Sequence, residues 1–300
     1  MKLIKISIFL LLCFVFVKNA KASSKLPAID SINSFFVEIS NTNGDIDKEK
    51  INDNLINYFI KFLENGNSFS ANFSELNFVT VLKSDDNKLN VFTWNLAFKT
   101  GKLKYYGFLQ YKKNNKILVY FLQDMKYYYE DEDLEDVTNA LYGTNTEWFG
   151  AIYYEIITKK YQSQTYYTLL GWDGANLLIN RKIIEVLHFG RKDLPLFGGK
   201  VFKKEKNTAN KFMFEFSEKA TMLLRYNKQI DMIVFDHLAP YEDKFAGLPQ
   251  FYGPDYSYDA FFFDKGKWVY NQNIDANLAI PYEKNKMINF LKKRNFSINF

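Results

Sequence analysis

The chain has 300 residues, 47% apolar and 18% aromatic, with 39 basic against 34 acidic side chains and one cysteine. That length supports a large core, as one β domain or two smaller ones. The lone Cys13 excludes a disulfide framework and a zinc centre built on several thiolates.

The first segment reads as an address rather than as part of the fold. Lys2 and Lys5 precede an apolar run, Ile6–Val17, and Ala20-Lys21-Ala22 supplies a small-x-small signal. These are the three parts of a secretory signal peptide, so residues 1–22 are expected to be removed by cleavage after Ala22. The apolar run is shorter than the about 20 residues a bilayer span needs. Cys13 lies inside it and follows Leu12, which disfavours lipid attachment. The expectation is export to the periplasm or the extracellular space, with no transmembrane span in the mature chain. The leader takes four lysines and no acid, leaving 35 basic against 34 acidic residues and no cysteine. A near-neutral mature chain carries no nucleic-acid footprint.

Residues 23–66 read as helical. Ile32, Phe35, Phe36 and Ile39 fall on one helix face, and Asn41–Gly44 breaks it. Asp45 and Asp47 suit a second helix start, and Ile51, Leu55, Phe59 and Leu63 recur every fourth residue up to Asn65-Gly66. From residue 67 to 145 the period changes to two. Phe78–Ser84 with Lys88–Leu96, and Lys102–Lys112 with Lys116–Gln123, predict two hairpins. Gly107 inside a strand predicts a bulge or a close backbone approach. The acidic block Glu130–Asp136 reads as a solvated linker into a short helix, 133–141, and as the boundary between two β halves. It contains no glycine, so it lacks the sharp turn of a calcium loop.

Residues 146–281 read as a second β half. Its anchor is Gln164–Phe189, two apolar segments around Asp173-Gly174, a strong hairpin signal. Phe189–Phe202 reads as a loop. Lys211–Ser217 alternates, and Ala220–Asn227 pairs with Gln229–Leu238. Pro240–Tyr258 carries Gly247, Pro249, Gly253 and Pro254, so it is expected to be a long loop. Asp264-Lys265-Gly266 turns a last hairpin, and residues 282–300 form a basic tail.

The ordered set TLLGWDGAN, NRKIIEVLHF, LFGGKVF, IVFDHLAP, FYGPDYSYDA and GKWVY, preceded by VFTWNL and YYGFLQ, resembles a widespread, uncharacterised family of exported proteins of Gram-negative bacteria. The resemblance implies export and a β-rich body. It implies no catalytic residue.

The chemistry on offer is sparse. Histidine occurs only at 188 and 237, and no Gly-x-Ser-x-Gly elbow is present. Adjacent Asp236 and His237 on a strand point to opposite faces and cannot orient one another. Asn273–Asn277 copies a calcium loop, but Leu278 and Lys284 stand where it needs Gly and Glu. No catalytic residue, metal site or cofactor is therefore expected. The segment Gln250–Phe263 is the best binding candidate. Tyr252, Tyr256 and Tyr258 cluster with Asp255 and Asp259, and aromatic faces beside carboxylates suit sugars. Trp172 and Asp173 are expected to rim the same site.

The expected fold is mainly β: antiparallel hairpins in a sandwich-like or incomplete-propeller body, with a short helical N-terminal region. The expected function is non-enzymatic binding of a ligand or partner, a glycan or an envelope component. Two alternatives stand beside it: an extracytoplasmic hydrolase of glycans or esters using Asp255 and Asp259 or the surroundings of His237, and a purely structural envelope protein.

Overall fold

The computed structural model describes residues 27–128 and 142–275. The expected leader, the acidic block with its helix, residues 276–281 and the basic tail lie outside the described residues.

Two helices open the chain, α1 (Pro27–Asn41) and α2 (Asp45–Glu64). The i, i+3, i+4 spacing puts Ile32, Phe36 and Ile39 on one buried face of α1, and Leu55, Phe59 and Leu63 on one buried face of α2. Their partner is a four-stranded meander of β1 (Thr80–Lys83), β2 (Leu89–Ala97), β3 (Leu103–Lys113) and β4 (Lys116–Gln123). Strand period two sorts its side chains. Phe92, Trp94 and Phe108 meet the helices, and Asn52 Oδ1 accepts the Trp94 indole N–H at 2.9 Å. Leu89, Val91 and Leu109 point the other way. At Gly107 the register runs unbroken opposite Thr93 and Leu122. The glycine serves a close approach rather than a bulge: a β-carbon there would stand 2.6 Å from the Phe92 carbonyl oxygen.

The remaining strands are β5 (Tyr142–Gly143), β6 (Ile152–Tyr161), β7 (Gln164–Asp173), β8 (Ile179–Phe189), β9 (Pro195–Gly198), β10 (Phe202–Lys204), β11 (Asn207–Ala209), β12 (Lys211–Ser217), β13 (Leu224–Asn227), β14 (Met232–Pro240), β15 (Tyr252–Asp264) and β16 (Lys267–Asn271). They form two more sheets. In the middle sheet β8 is central, with β7 and then β6 on one side, and β12 and β9 sharing the other. Its residues alternate between two cores. Leu169, Ile183 and Leu187 face the first sheet. Leu170, Ile184 and Val186 face the third. Burial on both sides explains why β7 and β8 read as nearly continuous apolar runs. The third sheet has the order β11-β10-β16-β15-β14-β13, antiparallel except for β10 beside β16. Trp268 Nε1 donates to Thr168 Oγ1 at 2.8 Å, linking it to the middle sheet.

The body is thus a stack of three sheets with the helices on one outer face. It is mainly β and sandwich-like, and the described strands close no barrel. Among the described residues no helix is long and apolar enough to cross a membrane.

Three local expectations are corrected. The anchor hairpin does not reverse on a tight Asp173-Gly174 turn. Asp173 is still paired opposite Arg181, and Asn176 Oδ1 makes the reversal by accepting the N–H groups of Leu178 and Ile179 at 2.9 and 3.0 Å. Phe189–Phe202 is not all loop, because β9 pairs with the end of β8. Pro240–Tyr258 is not one long loop: β14 runs to Pro240 and β15 starts at Tyr252. Pro254 is tolerated because β16 pairs only with Ala260–Asp264, which leaves the start of β15 an edge where a missing N–H breaks no ladder bond.

Candidate functional site

The β14–β15 pairing carries the local irregularity that builds the site. Asp236 lies opposite Tyr258 and Leu238 opposite Pro254, so Asp255, Tyr256 and Ser257 together face the single residue His237. The extra residues bulge outward. Tyr256 sits at their tip with φ 71° and 91% of its surface exposed. A left-handed backbone at a bulky residue stores about 1–2 kcal/mol, so something else must hold it there. Asp255 does part of this: its Oδ1 accepts Ser257 N–H at 2.9 Å and the Ser257 hydroxyl at 2.7 Å.

Beneath the bulge is a polar centre. Asp259 is 1% exposed, and its two oxygens accept His237 Nδ1–H at 2.9 Å, the Tyr270 hydroxyl at 2.5 Å and Asn273 N–H at 2.9 Å. An interior carboxylate is tolerable only with such a donor set. Burial, then the Asp259 charge, pushes the Tyr270 hydroxyl well above its ordinary pKa, so it stays a donor. Asp236 turns to the opposite face, as the strand period requires, and accepts Leu223 N–H at 2.7 Å. Burial, with the neighbouring Asp255 charge, raises its pKa against that hydrogen bond. Asp255 moves the other way. Slight burial opposes ionisation, but the Ser257 donors and nearby His237 hold its carboxyl below the usual range.

The connection 241–251 frames this edge. Phe245 and Phe251 stack at 4.1 Å between ring centres, and the Tyr252 hydroxyl accepts Gly247 N–H at 3.0 Å. Tyr241 is 59% exposed and lies flat on the strand, where a β-carbon on Gly253 would meet its ring at 2.8 Å. Tyr241, whose ring lies beside Gly253, and Tyr256, three residues further on with Asp255 just before it, are thus two exposed rings on one strand edge.

The structure gathers Tyr252, Asp255, Tyr256, Tyr258 and Asp259 on β15, with His237 from β14. It does not bring Trp172 and Asp173 to them, since both belong to the middle sheet. Asp173 is 1% exposed, with Lys126 Nζ 2.6 Å from one oxygen and Arg181 3.4 Å from the other. It is an interior counter-charge rather than a rim. Tyr241, Tyr270 and Asn273 were missed by the sequence reading; only the polar end of the last hairpin hinted at the last two. His188 and His237 lie in different sheets, and the described residues contain no cluster of metal-ligating side chains.

Comparison with family models, with curated proteins and with solved structures returns no match to this chain.

Proposed function

We propose that this is an exported, non-enzymatic protein of the cell envelope that binds a glycan along the edge formed by Tyr241, Asp255 and Tyr256. The leader-like N-terminus and the resemblance to exported β-rich proteins support export. The observation that carries the binding reading is Tyr256 itself, a large ring held almost fully exposed on a strained bulge above a buried hydrogen-bonded centre. Outward tyrosine faces stack on the apolar C–H patches of sugars, and a firmly ionised Asp255 accepts their hydroxyls. A glycan array or an envelope pull-down tests it. Tyr256→Ala is expected to weaken binding at least tenfold, about 1.4 kcal/mol, as befits an anchoring ring. Unchanged capture by this variant removes the bulge from consideration.

A further inference from the structure

A second cleft, about 360 Å³, opens where turns of the middle and third sheets meet, and its walls include Tyr161, Tyr166, His188, Lys200, Lys265 and Lys267. Its charge has one sign. No acidic residue lines it, and none of the three lysines forms an ion pair among the described residues. Lys267 stands opposite Asp264 in the ladder, yet the two do not pair. Like charges gathered around a concavity raise the local potential and favour an anion there.

The backbone that carries two of these lysines is fixed by turns. Lys200 follows Gly199, with φ 53° and 108°, and its N–H donates to Asn210 Oδ1 at 2.9 Å. Lys265 and Gly266, at φ 45° and 82°, form the two-residue turn between β15 and β16. Both lysine-bearing turns therefore have fixed left-handed backbones. The Tyr166 ring leans on Phe263 and on the His188 imidazole, at 6.1 and 6.0 Å. Burial lowers the His188 pKa, which leaves a neutral imidazole able to donate and accept at neutral pH.

We infer that this cleft binds a phosphate monoester, with the three ammonium groups on the phosphoryl oxygens and the tyrosine rings against the body that carries them. A phosphate monoester brings nearly two negative charges and three strong acceptors, a match for three ammonium donors. A single carboxylate would leave part of that charge unmatched. The cleft is separate from the glycan edge: eight residues of β15, Ser257–Asp264, roughly 25 Å, divide Lys265 from Tyr256.

The test is a calorimetric titration of the mature protein with inorganic phosphate, a hexose phosphate, the unphosphorylated hexose, a hexuronate, and chloride at matched ionic strength. Phosphate and hexose phosphate are expected to saturate one site and to compete for it, with the hexose phosphate tighter. Each of Lys200→Gln, Lys265→Gln and Lys267→Gln should weaken them about tenfold, the scale of one charge-assisted hydrogen bond. These lysines are exposed, so the variants keep the fold, which circular dichroism verifies. Tyr256→Ala should leave this binding unchanged, so failure here is distinguishable from failure of the glycan reading. Non-saturating heats, an equal effect of chloride, preference for the hexuronate, or full affinity in the triple lysine variant would each overturn the inference.

Discussion

Replacing Tyr256 by alanine and, separately, by glycine tests whether this side chain is kept for recognition rather than for stability. The ring is 91% exposed, so truncation removes almost no burial, and Tyr256→Ala should change folding stability by no more than about 0.5 kcal/mol. Alanine still has to adopt φ 71°. Glycine does not pay that conformational cost, about 1–2 kcal/mol, but its freer unfolded chain returns about 0.5–1 kcal/mol. Tyr256→Gly is therefore expected to be about 0.5–1 kcal/mol more stable than Tyr256→Ala, a rise of about 1–4 °C in midpoint for a chain of this size. Urea titration and calorimetry measure both. Binding to envelope glycan should fall in both variants alike. If both variants lose more than about 1 kcal/mol, the ring packs against the body and the reasoning fails. A glycine variant less stable than the alanine one would show that the bulge stores no strain.

Three further perturbations probe the frame around the site. Asp259→Asn places an amide N–H₂ among three donors, and should cost about 2–4 kcal/mol in urea unfolding; a loss under 1 kcal/mol would mean the buried centre is not the anchor. Gly107→Ala drives a β-carbon to 2.6 Å from the Phe92 carbonyl oxygen, so the paired strands must part; a cost of at least about 2 kcal/mol is expected, and a neutral result contradicts the close approach. Burial raises the Asp124 carboxyl from 3.8 to about 6, against Lys126 and the Tyr105 N–H. The folded form thus binds this proton more tightly than the unfolded one. The contribution is full below pH 3.8 and is lost as pH rises through 6, about 3 kcal/mol in total. Asp124→Asn should flatten stability against pH in that window; identical slopes in wild type and variant would refute the shift.

Much of the architecture could be read from spacing. Ile51, Leu55, Phe59 and Leu63 announce α2 because a helix face repeats nearly every four residues. The change to period two through Lys88–Leu96 announces the hairpin strand β2, though not that both of its faces are covered. Tertiary context erased the local signals elsewhere. Gly253-Pro254 reads as a turn, yet it is strand because its edge lacks a neighbour. Asp173-Gly174 reads as a hairpin tip, yet Asp173 is drawn inward by Lys126 and Arg181, the first of which is 47 positions away. The site was half legible. The tyrosines and aspartates of β15 stand out as a cluster, whereas the Asp259 contacts with His237 and Tyr270 depend on strand register, which no local pattern specifies.

Hydrogen exchange of residues 241–258, measured with and without soluble fragments of envelope glycan, probes recognition at the bulge directly. Slowed exchange centred on Asp255–Ser257 and the 241–251 connection, and absent in Tyr256→Ala, is the result predicted. Protection confined to other strands, or retained in full without the Tyr256 ring, would contradict it.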